Sequence, residues 1–156
     1  MKEKRKEFTE EDKTELLWRD GFIDRYSTTR EKLIHPAVLR ILSECMPVEF
    51  PWDSHWNMEK THIAYYQLSP SVDHVIPHAR GGTNEKDNLV CTSYLRNLAK
   101  SGYTLEELGW EKQPEGDHNE WDGMTKWFIE YVKENKMEKH PYLKPWYGAA
   151  LKYCLD

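Results

Sequence analysis

The chain has 156 residues and a formal net charge of −5, with 31% charged and 38% hydrophobic residues. This length favours one domain with a modest core, and no apolar run approaches the roughly 20 residues of a membrane-spanning helix. The stretch MKEKRKEF is charged and lacks the apolar segment of a signal peptide. The cysteines (Cys45, Cys91, Cys154) are scattered and form no CxxC pair. These features predict a cytoplasmic protein without a disulfide framework.

The acidic charge lies mainly outside the centre of the chain. Residues 104–130 contain Lys112 and Lys126 against Glu106, Glu107, Glu111, Glu115, Asp117, Glu120, Asp122 and Glu130. Residues 73–100 are more balanced, with Arg80, Lys86, Arg96 and Lys100 against Asp73, Glu85 and Asp87. Lys and Arg supply most of the non-specific affinity for nucleic acid. Since the negative charge lies largely elsewhere, the acidic net charge does not exclude a phosphate-facing surface in the central segment. We expect the acidic segment to be a solvated helical face.

Two helices are predicted near the amino terminus. The first has Thr9 as its N-cap, acidic residues in its first turn and Gly21 as its stop. The second begins at Pro36 and has an apolar face formed by Val38, Ile41 and Leu42. The Pro- and Trp-rich residues 47–62 that follow predict an ordered loop.

The centre of the chain has β-type patterns. HIAYYQL (62–68) and VDHVI (72–76) are rich in β-forming residues and are separated by the turn-forming SPS. A polar loop with Gly81 and Gly82 follows. LVCTSYLRNLAKS (89–101) then predicts a helix, with Leu89, Leu95 and Leu98 at roughly helical spacing and Gly102 as its stop.

The rest of the chain is predicted to be helical. TLEELG has a Thr104–Glu107 capping box and Gly109 as its stop. EWDGMTKWFIEYVKENK has an amphipathic stripe, and PWYGAALKYCL predicts a last helix from Pro145. We expect the aromatic residues of these helices to be core rather than a base-stacking platform. The fold class is therefore α+β, a single domain 1–156 with N-terminal helices and a Trp-rich loop in 1–61, a ββα core in 62–102 and C-terminal helices in 103–156.

The segment 62–102 contains residues suited to metal-dependent phosphodiester hydrolysis. Asp73 and His74 end a predicted strand, and at a twisted strand end both side chains can reach one cleft if the facing helix closes over it. Asp73 and the amide oxygen of Asn97 are hard ligands suited to Mg²⁺ or Mn²⁺. The imidazole of His74 is a suitable general base.

The spacing of these residues resembles that of the HNH nucleases, the ββα-metal superfamily. The matching residues are Asp73-His74-Val75-Ile76-Pro77, then Gly81-Gly82, Asn88-Leu89, Asn97 and Lys100. The wider run over about residues 50–150 is similar to small stand-alone bacterial or phage HNH proteins. Many HNH proteins hold a structural zinc on two CxxC knuckles. Ser93 and Arg96 stand at the corresponding positions here, so no structural zinc is expected.

The resemblance implies a role for each matching residue. Asp73 and Asn97 would bind one divalent metal ion, and His74 would be the general base. Asn88 would tether the loop that orients the base. We also interpret Arg80, Arg96 and Lys100 as contacts to nucleic-acid phosphate, whereas His78 is expected to be a solvated loop residue.

Double-stranded DNA is the expected substrate, and a homodimer would allow both strands to be cut. Two alternatives remain open at this point. One is a nuclease that acts on RNA or on modified or structured DNA, for example in a restriction or defence system. The other is a non-catalytic binding protein built on the HNH scaffold. A zinc site formed by Cys45, His55 and His62 is a further, less favoured hypothesis.

Overall fold

The computed structural model describes residues 4–155 and contains seven α-helices and one two-stranded antiparallel sheet in that range. In chain order the elements are α1 (Glu10–Arg19), α2 (Pro36–Cys45), α3 (Ile63–Leu68), β1 (Pro70–His74), β2 (Leu89–Ser93), α4 (Tyr94–Lys100), α5 (Leu105–Leu108), α6 (Thr125–Glu134) and α7 (Leu143–Tyr153). The predicted α+β class is confirmed. No helix within the described range is long and apolar enough to cross a membrane.

The helices outside the sheet follow the local signals in the sequence. α1 begins at a capping box in which Thr9 and Asp12 exchange side-chain to backbone hydrogen bonds. α2 begins at Pro36, and α5 has the predicted Thr104–Glu107 capping box. α7 begins at Leu143 rather than at Pro145. These helix ends can be predicted from the neighbouring sequence, because a cap needs only residues within one turn.

The sheet pairs different segments from those predicted. Residues 63–68 form α3 and not a strand, with His62 Nδ1 accepting a hydrogen bond from the Ala64 amide at the helix start. Tyr65 and Tyr66 are both buried, which an alternating half-buried strand does not allow. The partner of β1 is β2, with Val72 opposite Cys91 and His74 opposite Leu89.

The predicted helix over 89–101 is therefore wrong in its first half. All of β2 is buried, and a short, fully buried run cannot be assigned to strand or helix from periodicity alone. α4 starts at Tyr94, where the Ser93 hydroxyl caps the amide of Arg96. The order of elements is thus strand, long loop, strand, helix.

Two apolar clusters support this unit. One joins α2, α6 and α7 and has Val38, Ile41, Phe128, Val132 and Trp146 among its buried members. The other joins α1 to the sheet through residues that include Leu17, Trp18, Phe22, Leu33 and Cys91. The hairpin is consequently held against the helices on its buried face. The last two residues of β1, Asp73 and His74, are themselves largely buried.

Candidate functional site

A surface cleft of about 450 Å³ lies between the end of β1, the loop that follows it and α4. Its walls include Asp73 and His74 from β1 and Asn97 from α4. His74 is the last residue of β1, where the chain leaves the sheet, so its side chain can reach the same cleft as its neighbour. The structure thus brings together the three residues predicted as metal ligands and general base.

The Asp73 carboxylate is held by two buried donors. Its Oδ2 atom accepts a hydrogen bond of 2.7 Å from the Tyr26 hydroxyl and lies 3.0 Å from the Lys100 ammonium. Burial and the nearby carboxylate raise the pKa of Tyr26 well above its usual range, so this phenol stays protonated and donates. Asp73 Oδ1 makes no hydrogen bond within residues 4–155 and is the oxygen suited to a cation.

Lys100 has a different role from the one predicted. Its side chain is fully buried, and its Nζ atom also donates a 3.0 Å hydrogen bond to the His74 carbonyl. The ammonium lies 5.9 Å from the centre of the Tyr26 ring. A direct contact with phosphate does not agree with this position, because phosphate cannot reach a buried ammonium. Lys100 instead joins the end of α4 to the end of β1.

The imidazole of His74 is oriented by Asn84. The two side chains are joined by a 2.8 Å hydrogen bond between His74 Nε2 and Asn84 Oδ1. Asn84 Nδ2 donates to the carbonyl of Lys4, which fixes the amide with its oxygen towards the histidine. Since an amide oxygen only accepts, Nε2 carries the proton in the neutral ring and Nδ1 is the basic nitrogen.

Asn88 fixes the loop between the strands, and its side-chain hydrogen bonds within residues 4–155 go to loop backbone atoms rather than to the His74 ring. Its Oδ1 accepts from the Ile76 amide, and its Nδ2 donates to the carbonyls of Ile76 and Thr83. Gly82 lies so close that a Cβ there would overlap the Ile76 carbonyl. The glycine therefore permits a backbone-to-backbone contact inside the loop.

The two arginines predicted to contact phosphate are already paired with acids. Arg96 binds Asp24 and Glu31 at 3.0 Å each and lines a different surface pocket from Asn97. The predicted phosphate contact of Arg96 would require its guanidinium to leave the buried Asp24 carboxylate. Arg80 lies 2.7 Å from Glu107 in an exposed ion pair. Of these two arginines, Arg80 is the one that a ligand at the loop can recruit without unpairing a buried carboxylate.

The residues of the cleft fit a weakly bound hard cation. Asn97 Nδ2 donates to the Ser71 hydroxyl, while its amide oxygen makes no hydrogen bond in the described part of the chain. Asp73 and Asn97 thus offer one oxygen each, as Mg²⁺ accepts when waters complete its shell. The ammonium beside Asp73 opposes a second positive charge, so we expect low affinity.

Other metal sites lack support. Within residues 4–155 no three His, Cys, Asp or Glu side chains are grouped to hold a metal ion. The zinc hypothesis for Cys45, His55 and His62 is therefore not supported. Cys45 contacts the Tyr131 hydroxyl, and His62 caps α3.

Several residues at the cleft were missed by sequence reasoning. Tyr26 lies 47 positions before Asp73, and nothing local in the sequence connects them. Asn84 is one of two asparagines in a polar loop, and only the fold separates its role from that of Asn88. From the amino-terminal segment, Arg5 lines the cleft and the Phe8 ring lies 5.9 Å from the His74 ring.

The chain was also compared with known proteins. No family model, curated protein or solved structure matches it. The resemblance to HNH nucleases accordingly depends on the motif residues and on the geometry of this cleft.

Proposed function

We propose that the chain is a metal-dependent endonuclease of the HNH type that hydrolyses phosphodiester bonds of nucleic acid. The observation that carries the proposal is the cleft itself, in which Asp73, His74 and Asn97 meet on a strand, loop, strand and helix unit. The hydrogen bond from His74 Nε2 to Asn84 adds to it, because it leaves Nδ1 to accept a proton.

Each residue then has a defined task. His74 Nδ1 takes the proton of the attacking water, while Asn84 keeps the imidazole in its tautomer. Tyr26 and Lys100 fix Asp73, and Ser71 fixes Asn97. Mg²⁺ or Mn²⁺ held by Asp73 and Asn97 would stabilise the negative charge that develops on the phosphate and the leaving oxygen. The expected products have 5′-phosphate and 3′-hydroxyl ends.

One observation favours the alternative of a non-catalytic binding protein. The Lys100 ammonium already neutralises Asp73, and a scaffold that had lost its metal would gain stability from such a pair. A binding protein would not need the oriented His74 imidazole or the open amide oxygen of Asn97. We therefore favour the enzyme.

A cleavage assay with supercoiled plasmid, RNA and single-stranded DNA separates the alternatives. We expect cleavage of at least one substrate with Mg²⁺ or Mn²⁺, none in EDTA, and a loss of about 10²–10⁴-fold in His74→Ala. Asp73→Ala should lose activity by weakening metal binding, which calorimetric titration with Mn²⁺ measures. His55→Ala, at an exposed histidine away from the cleft, is the matched control. No cleavage of any substrate by the wild-type protein would favour the binding scaffold.

A further inference from the structure

A second cavity, of about 390 Å³, lies beside the cleft and has several aromatic residues in its walls. Trp52, Trp56, Tyr94, Tyr142 and Trp146 line it. The two cavities share a wall, because Tyr94 lines both. Ser71, which accepts the hydrogen bond of Asn97, also lines the aromatic cavity.

The wall nearest the cleft is rigid. The rings of Trp56 and Tyr94 are stacked with their centres 4.4 Å apart. Trp56 has a positive φ of 55°, which is unfavourable for a bulky residue and is retained only where the surroundings enforce it. The Tyr66 hydroxyl contributes to this by donating a 2.7 Å hydrogen bond to the Trp56 carbonyl. The indole is therefore fixed before any ligand arrives.

Other lining residues provide positive charge. The Arg40 guanidinium lies 5.1 Å from the ring of Trp52 and 4.8 Å from that of Tyr142. Its Nε pairs with Glu44, and its two terminal nitrogens make no hydrogen bond within residues 4–155. Lys13 also lines the cavity. Flat aromatic walls with cations suit a flat ligand that carries an anionic group.

We propose that this aromatic pocket binds an unpaired nucleobase next to the phosphodiester in the cleft. The inference depends on the proposed function and narrows its substrate class to single-stranded or locally unpaired nucleic acid. A base within a duplex is stacked and paired on both sides, so it must leave the helix to enter such a pocket.

The net charge of −5 supports this substrate class. Duplex binding depends largely on neutralised phosphates, and two of the predicted phosphate contacts, Arg96 and Lys100, are paired with acids inside the protein. Stacking on aromatic side chains contributes affinity that does not require a basic surface. An acidic protein can therefore hold a single strand through its bases.

The test measures binding without metal, so that it does not depend on cleavage. Wild-type protein in EDTA is titrated with a labelled single-stranded DNA, the same strand as RNA, the blunt DNA duplex, and a strand of equal length in which every nucleotide is abasic. We expect the single strand with bases to bind at least about tenfold more tightly than the duplex or the abasic strand. Equal affinity for the abasic strand and the strand with bases would overturn the inference.

Protein variants locate the contact. Trp52→Ala should weaken single-strand binding at least about fivefold, and Trp52→Phe should retain part of the affinity. Trp127→Ala is the control, because Trp127 is exposed and stacks on Tyr131 outside both cavities. Unchanged single-strand binding in Trp52→Ala would place the strand elsewhere and contradict the inference.

Failure of the inference is distinguishable from failure of the proposed function. Base-dependent binding without cleavage in Mg²⁺ or Mn²⁺ would support the pocket and contradict the nuclease. Metal-dependent cleavage of duplex with no base-dependent binding would support the nuclease and contradict the pocket.

Discussion

The helical body and the hairpin with its cleft are stabilised in different ways. Around α2, α6 and α7 the interior is mainly apolar, and the buried His35 there has an Nε2 atom without a hydrogen-bond partner among residues 4–155. Around the hairpin the buried carboxylates of Asp20 and Asp24 each accept several hydrogen bonds. Asp24, for example, accepts hydrogen bonds from the Thr92 hydroxyl, the Ser93 amide and the Arg96 guanidinium.

This difference has consequences for function. Apolar packing tolerates substitution if volume is conserved, whereas a buried polar network is costly when one member is removed. The cleft residues Asp73 and Lys100 belong to the polar network. The site is thus held in a single geometry by hydrogen bonds over long sequence separations, and it should be more sensitive than the body to single polar changes.

The largest expected effect is that of Lys100→Met. Removing one partner of a buried ion pair typically costs about 3–5 kcal/mol, because the other charge stays buried without its partner. The double variant Asp73→Asn with Lys100→Met should recover more than half of this loss. Chemical denaturation of the three proteins measures the free energy of unfolding.

The matched control is Lys86→Met. The Lys86 side chain is mostly exposed and pairs with Glu15, so its loss should leave the unfolding midpoint unchanged. If Lys100→Met unfolds at the wild-type denaturant concentration, the Asp73–Lys100 pair does not hold the hairpin to α4.

A smaller effect is expected for Gly82→Ala. The added methyl group would overlap the Ile76 carbonyl, and displacing that backbone should cost about 1–3 kcal/mol. Because the same loop carries Asn84, nucleic-acid cleavage should fall as well. Gly102→Ala is the control, since a Cβ there meets nothing within 4 Å. Equal stability of the two variants would show that the loop moves without cost.

In the helical body the expected effect depends on pH. Burial lowers the pKa of His35 from 6.5 to about 3. Between these two pH values the imidazole is protonated in the unfolded chain and neutral in the folded chain. The contribution of neutral His35 to the free energy of unfolding is fully present above pH 6.5. It is lost as the pH falls towards 3, by about 1.4 kcal/mol per pH unit.

His35→Asn removes this titration and keeps an acceptor for the Ala37 amide, which His35 Nδ1 now caps. The free energy of unfolding of this variant should therefore depend less steeply on pH between 4 and 6 than that of the wild type. His55→Asn, at an exposed position, should follow the wild-type slope. Parallel slopes in all three proteins would mean that His35 is protonated in the folded state.

The same contrast explains what the sequence could predict. The helix starts at Thr9, Pro36 and Thr104 depend on neighbouring residues and were predicted correctly from the sequence. The strand β2 was missed because its five residues are all buried by α1 and β1, which periodicity does not reveal.

The motif correctly predicted that Asp73, His74 and Asn97 lie at one cleft. The residues that hydrogen-bond to them could not be predicted from the motif. Tyr26 and Asn84 act through contacts that exist only after the amino-terminal region has packed on the hairpin. The burial of Lys100 likewise depends on how α4 meets β1. Spacing along the chain identifies reactive side chains, while their pairing depends on the tertiary fold.

The most direct test of the central claim is the rate of nucleic-acid cleavage by wild-type protein and by His74→Ala, each with Mn²⁺ and with or without added imidazole. If His74 Nδ1 is the general base, the variant is slower by at least about a hundredfold, and free imidazole restores part of the rate. Equal rates for the two proteins, or no metal-dependent cleavage by the wild type, would contradict the account.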